Sequence, residues 1–165
     1  MERLTGEGGF DWVYLVVSPQ NPFKSAENNL TARDRYEAAV KAVCRHPELR
    51  VWVDDIELGM EPPHYTIRTL DALREREPEC DFTLIIGADN LVRFGNWKDH
   101  DRILLEYGVA VFPRKGFDMD FYIGKLKEEN PNYRIRTVEA PLVTISSTEI
   151  RDGLAEGRGM SDWLM

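Results

Sequence analysis

Three short apolar runs set the limits on what this chain can fold into. WVYLVVS (Trp12–Ser18), FTLIIG (Phe82–Gly87) and GVAVFP (Gly108–Pro113) are continuous rather than alternating. A strand with no polar side has to be covered on both faces, the condition met by a parallel sheet between layers of helices. The stretches between the runs have helical spacing. TARDRYEAAVKAVCRH places Tyr36, Ala39, Val40, Val43 and Cys44 on one side, with Thr31 and Asp34 as a capping pair and Pro47 at its close. YTIRTLDALRERE does the same with Ile67, Leu70 and Leu73 ahead of Pro78, and FDMDFYIGKLKEEN with Met119, Tyr122, Ile123 and Leu126. A shorter helical region runs from Asn96 to Tyr107, and RVWVDD and YRIRTV read as further strands. Strands alternating with helices predict an α/β fold with an open, mainly parallel sheet and helices on both faces. No repeat or linker interrupts residues 1–165, so a single domain is expected.

Charge narrows the partners. The formal net charge is −8, which offers no broad basic surface to nucleic acid or to an anionic membrane. An anionic small molecule then requires a local basic site or a metal ion. No apolar run approaches the roughly 18 residues that span a bilayer, and MERLTGEGGFDW lacks the pattern of a secretion signal. Cys44 and Cys80 have no metal-type spacing. Cys44 falls on the apolar side of its helix, where a buried thiol is expected, and the absence of a disulfide framework favours a reducing, cytoplasmic compartment.

Ligands of open α/β sheets bind beyond the carboxyl ends of the strands, which directs attention to the segments there. SPQNPFK follows the first run and ends in Lys24, either a solvated lysine or a cation for a phosphate on a proline-stiffened loop. GADN follows FTLIIG. Gly87 allows close backbone approach, and Asp89 either caps the next helix or accepts sugar hydroxyls beside a metal-bound phosphate. Trp97 is either core or a stacking surface for a heteroaromatic ring. Tyr65 and Thr66 open a helix whose N–H groups suit a carboxylate or an amide, although a cap alone accounts for Thr66. In VTISSTEIRDG, Ser146 and Glu149 form a capping box, whereas Ser147, Thr148 and Arg151 make sense together as a phosphate site at a helix N-terminus. Neither a P-loop nor a dinucleotide fingerprint is present, no Ser/His/Asp or Cys/His set is credible, and no ligand cluster predicts a resident metal.

Read in order, SPQNPFK, RDRYEAAVKAV, VDDIELGMEPPHYTIRTLDAL, TLIIGADNLVRFGNWKDHDRIL and ISSTEIR resemble the nicotinate/nicotinamide mononucleotide adenylyltransferases of the nucleotidyltransferase superfamily, from about Phe10 to Gly157. ISSTEIR alone is shared with pantetheine-phosphate adenylyltransferases, the alternative enzyme class. The combination with HYTIRTL and IIGADNLVRFGNW is specific to the pyridine-nucleotide branch. The resemblance implies a Rossmann-like sheet and adenylyl transfer from ATP to nicotinate or nicotinamide mononucleotide, with Mg²⁺ carried on the substrate phosphates. It implies that Ser147, Thr148 and Arg151 hold the ATP phosphates, that Gly87 and Asp89 lie at the nucleotide, and that Lys24 meets the mononucleotide phosphate. It implies too that Trp97 stacks on the pyridine ring while Tyr65 and Thr66 read the ring substituent. Arg151 and Lys24 are then the catalytic cations.

The chain departs from that pattern at its start. The family's first strand and its H-x-G-H motif have no counterpart, and GGFDWVYLVVSP aligns with the second strand. The domain is therefore expected to be short at both ends, with its first strand missing and adenylyl transfer weak or absent, which keeps a non-catalytic nucleotide binder as a third reading. An unpaired sheet edge would also favour a homo-oligomer.

Overall fold

The computed structural model describes residues 9–19 and 31–139. Five strands are present in this part: β1 (Val13–Val16), β2 (Val51–Asp54), β3 (Leu84–Gly87), β4 (Val109–Phe112) and β5 (Ile135–Thr137). Between them run helices α1 (Ala32–Cys44), α2 (Thr66–Arg76), α3 (Ala88–Leu91), α4 (His100–Arg102) and α5 (Met119–Glu129). Every strand pair is parallel, as the apolar runs required.

The expected sheet is divided. Among the described residues β1 and β2 form one sheet, and β3, β4 and β5 form another in that order. Val13 stands opposite Val51 in the first, while Leu84 stands opposite Val109 and Val109 opposite Ile135 in the second.

Two-sided burial is visible on β4. Successive residues of a strand face opposite sides, and Val109 and Val111 join a cluster with Ile67, Leu70, Phe94, Ile103 and Leu126. Ala110 between them joins Val13, Val51 and Val138 on the other face, with Val43 of α1 packed against it. Helices therefore cover both faces. Gly108 makes the entry into β4 possible: its φ of +78° is strained for any side chain, and a Cβ there would stand 3.0 Å from the Arg134 carbonyl oxygen.

The α1 capping pair is reciprocal. Asp34 N–H donates to the Thr31 hydroxyl at 3.1 Å, and Thr31 N–H donates to the Asp34 carboxylate at 2.9 Å. The Thr31 hydroxyl also donates to that carboxylate at 2.8 Å, and this bond, followed by the one from Thr31 N–H, holds the Asp34 carboxyl below its usual range. No residue of α1 is fully buried, and Cys44 is exposed, contrary to expectation. Its position in the last turn carries it past the edge of the sheet contact that Val43 makes. The region from Asn96 to Tyr107 is also not one helix. Asp99 takes a left-handed φ of 52°, so the chain breaks there before α4, and a π-helical turn, Ile103–Tyr107, completes it.

Ion pairs join the elements where the strands are short. Arg76 at the end of α2 donates twice to the Asp54 carboxylate, at 3.1 and 2.5 Å, and also to Glu77. Tyr14 on β1 donates its hydroxyl to Glu77 at 2.5 Å. That bond, followed by burial, pushes the Tyr14 hydroxyl from its ordinary 10.0 up to about 12. The Tyr133 hydroxyl, donating to Asp101, rises to about 12 as well. A group raised on folding stabilises fully below its unfolded value and loses that contribution as pH climbs to the folded one. Thermal stability is accordingly expected to hold up to about pH 10 and to fall beyond it, with a shallower fall in Tyr14→Phe. Melting curves across the alkaline range check this. Glu77, pulled down first by Tyr14 and then by Arg76, acts on the acid side: its contribution is present above the ordinary 4.5 and fades as pH drops through its lowered value.

Candidate active site

The carboxyl end of β3 is built for close approach. Gly87 ends the strand, and Asp89 falls in the first turn of α3. Gly87 pairs in register with Phe112 on β4, so Arg114, two residues further on, reaches back beside it. Arg114 Nε lies 3.5 Å from the Asp89 carboxylate. A Cβ at Gly87 would meet Arg114 Nε at 3.1 Å and Cγ at 3.3 Å, and would press on the Asp89 carboxylate as well. The missing side chain is what allows the pair to lie across the strand end. Both partners are nearly half exposed, so the pair contributes little to stability and stays open to an incoming ligand. Sequence reasoning missed Arg114, although the rule that singled out GADN, namely the first polar residues beyond a buried strand, applies equally to FPRK.

The start of α2 supplies donors. Tyr65 is the cap residue in extended conformation, with no side chain completing the cap. Its own N–H is taken by the Pro63 carbonyl at 3.0 Å. The next amides, Thr66 and Ile67, have no acceptor among the described residues. Free N–H groups at a helix start favour an anion or a carbonyl oxygen. The Tyr65 ring is exposed. Behind the turn Thr69 donates to Glu57 at 2.6 Å, anchoring α2 to the loop that precedes it.

Trp97 is half-buried at the edge of the core. One side packs on Phe94, ring centroids 5.0 Å apart and planes 32° from parallel, and the rest remains open. Phe94 is fully buried together with Ile67 from α2, Ile86 from β3 and Ala88 from α3. One core cluster thus carries the start of α2, the Gly87–Asp89 turn and Trp97. No hydrogen bond, ion pair or ring pair links Tyr65, Asp89 and Trp97 to one another among the described residues. On the other side, Arg35 of α1 donates to the Ser18 and Pro19 carbonyls at 2.9 and 2.7 Å, fastening the first residues of SPQNPFK. Lys24, Ser147, Thr148 and Arg151 lie outside the described residues.

His100, Asp101 and Glu129 bring possible metal-ligand atoms within 4.8 Å of one another. The Tyr133 hydroxyl already donates to Asp101, so the carboxylate has a partner without an ion. Among the described residues no helix is long and apolar enough to cross a membrane.

A family model described as cytidylyltransferase-like matches residues 1–153. The chain belongs to the cytidylyltransferase-like family. It is similar to a probable nicotinate-nucleotide adenylyltransferase of Cytophaga hutchinsonii, 41% identical over 142 residues, covering 86% of this chain and 69% of that protein. A Bacteroides fragilis protein of the same description is 36% identical over 156 residues, covering 94% of this chain and 73% of its own length. Among solved structures, Plasmodium falciparum nicotinic acid mononucleotide adenylyltransferase complexed with NaAD superposes with a TM-score of 0.74 at 17% identity. It covers 98% of this chain and 78% of the other. That likeness gives this cytidylyltransferase-like chain a Rossmann-like fold.

Proposed function

We propose that this cytidylyltransferase-like chain transfers the adenylyl group of ATP to nicotinate or nicotinamide mononucleotide, the dinucleotide-forming step of NAD synthesis. The observation that carries the reading is the common mounting of Trp97 and the uncapped start of α2 on one core cluster. A flat aromatic surface and free backbone donors together suit a pyridine ring bearing a carboxylate or an amide. The similarity to probable nicotinate-nucleotide adenylyltransferases supports the same branch.

In this reading an oxygen of the mononucleotide phosphate attacks the α-phosphorus of ATP, and the bond to the bridging oxygen of the β-phosphate breaks, releasing pyrophosphate. The reaction needs no protein nucleophile. It needs positioning and neutralisation of charge. Ser147, Thr148 and Arg151 take the ATP phosphates, Lys24 the mononucleotide phosphate, and Gly87 and Asp89 the nucleotide. Tyr65 and Thr66 present the helix start to the pyridine substituent, with Thr66 and Ile67 offering the open amides. Arg114 adds a cation beside Asp89. Mg²⁺ held on the substrate phosphates supplies further charge neutralisation when bound. The exposed, unpaired Cys44 and Cys80 suit a reducing cytoplasm.

Pyrophosphate release from ATP and Mg²⁺, with nicotinate mononucleotide or pantetheine phosphate as acceptor, tests the proposal. Release with the pyridine acceptor alone upholds it. Release only with pantetheine phosphate overturns the substrate, and nucleotide binding without release overturns catalysis. Trp97→Ala should weaken nicotinate mononucleotide binding about tenfold, the size of a stacking contribution, and leave ATP binding unchanged by calorimetry.

A further inference from the structure

A buried carboxylate stands behind the start of α2. Glu57 lies in a tight helical turn, Ile56–Gly59, shortly after β2, and is 6% exposed. The turn is fixed to the strand end, because Asp54 accepts the Ile56 N–H at 2.9 Å. Glu57 in turn accepts the hydroxyl of Thr69, also buried, at 2.6 Å. Thr69 stands one turn into α2. Its hydroxyl oxygen lies 3.4 Å from the Tyr65 carbonyl oxygen, and its N–H donates to the same oxygen at 3.2 Å. Arg68 N–H donates there too, at 2.9 Å. A chain of polar contacts thus runs from β2 through Glu57 and Thr69 to the peptide group between Tyr65 and Thr66. That group is planar and trans, so its C=O and N–H point opposite ways. Holding the Tyr65 oxygen therefore aims the Thr66 N–H beyond the helix start.

We propose that Glu57 is a positioning residue for the mononucleotide, setting through Thr69 the aim of the Thr66 amide that meets the pyridine substituent. The inference rests on the pyridine reading of this site. A backbone donor has no rotamer of its own, so its direction depends on what grips its peptide group. Attachment of α2 does not require this bond, since Ile67, Leu70 and Leu73 are already buried and Arg76 already holds Asp54. What a buried polar pair adds to such packing is direction. The outer side of the turn has a separate tether. The Arg68 guanidinium donates to the Glu61 and Pro63 carbonyls at 3.0 and 2.7 Å, and Pro63 also accepts the Tyr65 N–H. With the inner bond cut, the turn keeps its course and the donor loses its aim.

Four variants of the full chain test this. Thr69→Val and Glu57→Leu break the bond at similar volume, whereas Thr69→Ser and Glu57→Gln keep a hydroxyl donor and an oxygen acceptor. Calorimetry well below the melting transition should show nicotinate mononucleotide bound about tenfold more weakly by the first two, and within about twofold of wild type by the others. ATP, and the mononucleotide of unsubstituted pyridine, should bind all four as they bind wild type, because neither presents a substituent to the amide. Without ligand, exchange at the Arg68 and Thr69 amides should quicken about tenfold in the first two variants. Unchanged exchange there would overturn the proposal. So would an equal loss for the unsubstituted mononucleotide, or a loss in Thr69→Ser as large as in Thr69→Val. A wild-type chain that binds no nicotinate mononucleotide would instead overturn the pyridine reading, and quickened exchange in Thr69→Val would still uphold the grip of Glu57 on the helix start.

Discussion

Phe94→Ala should lower the stability of this chain by about 3–5 kcal/mol, the usual cost of emptying an aromatic site in a well-packed core. For a chain of 165 residues that is a melting temperature roughly 6–20 °C lower. Phe94 has no exposed surface and contacts the cluster that unites α2, β3 and α3, so its neighbours have little freedom to collapse into the space. The same change removes the platform under Trp97. Binding of nicotinate mononucleotide should therefore weaken beyond what reduced folding explains, when measured well below the melting transition. Phe94→Leu separates the effects: it restores much of the volume and most of the stability while leaving the tryptophan without an aromatic neighbour. Unchanged melting in Phe94→Ala would place Phe94 outside the core.

The second large effect is expected at the Asp54–Arg76 pair. Asp54 is only 2% exposed and accepts from both guanidinium nitrogens and from the Ile56 N–H. Arg76→Ala leaves that buried carboxylate with only the Ile56 N–H and with the Glu77 carboxylate nearby. Loss of one partner from a fully buried pair costs about 3–5 kcal/mol. Arg76 is itself 41% exposed, so water can partly replace it and the cost should be about 2–3 kcal/mol, below the range for fully buried pairs. Asp54→Asn together with Arg76→Ala should recover part of the loss, because a neutral amide tolerates that position better than an unpaired charge. Urea unfolding of the two single variants and the double variant measures the coupling. An additive result would show that the pair contributes nothing beyond its separate residues.

Much of the fold was readable from residue pattern. Continuous apolar runs gave the parallel strands, and the Thr31–Asp34 pair gave the start of α1 to the residue. What pattern missed was non-local. Asp enters the left-handed region more readily than most residues, but one Asp amid helical spacing does not say that the chain will break at Asp99, which divides what spacing reads as one helix. Cys44 obeys helical spacing yet is exposed, because spacing states which side a residue is on and not where the neighbouring layer ends. For the proposed site, motifs singled out Trp97, Tyr65, Thr66, Gly87 and Asp89. Their common support on Phe94 and Ile67 was not, since those residues are far apart in the chain and meet only by packing. The end-of-strand rule reaches Arg114 in FPRK, but only strand register sets it against Gly87 and Asp89.

The uncapped start of α2 has a kinetic corollary. Its donors are neutral dipoles whose pull fades within a helical turn, while the chain around them carries a net charge of −8. At low ionic strength an approaching anion feels the repulsion of the whole molecule before it feels the amides. At physiological salt the screening length is about 8 Å, and that outer barrier shrinks while the short-range attraction survives. Encounter with an anionic ligand should then quicken as salt is added, opposite to the behaviour of a basic cleft.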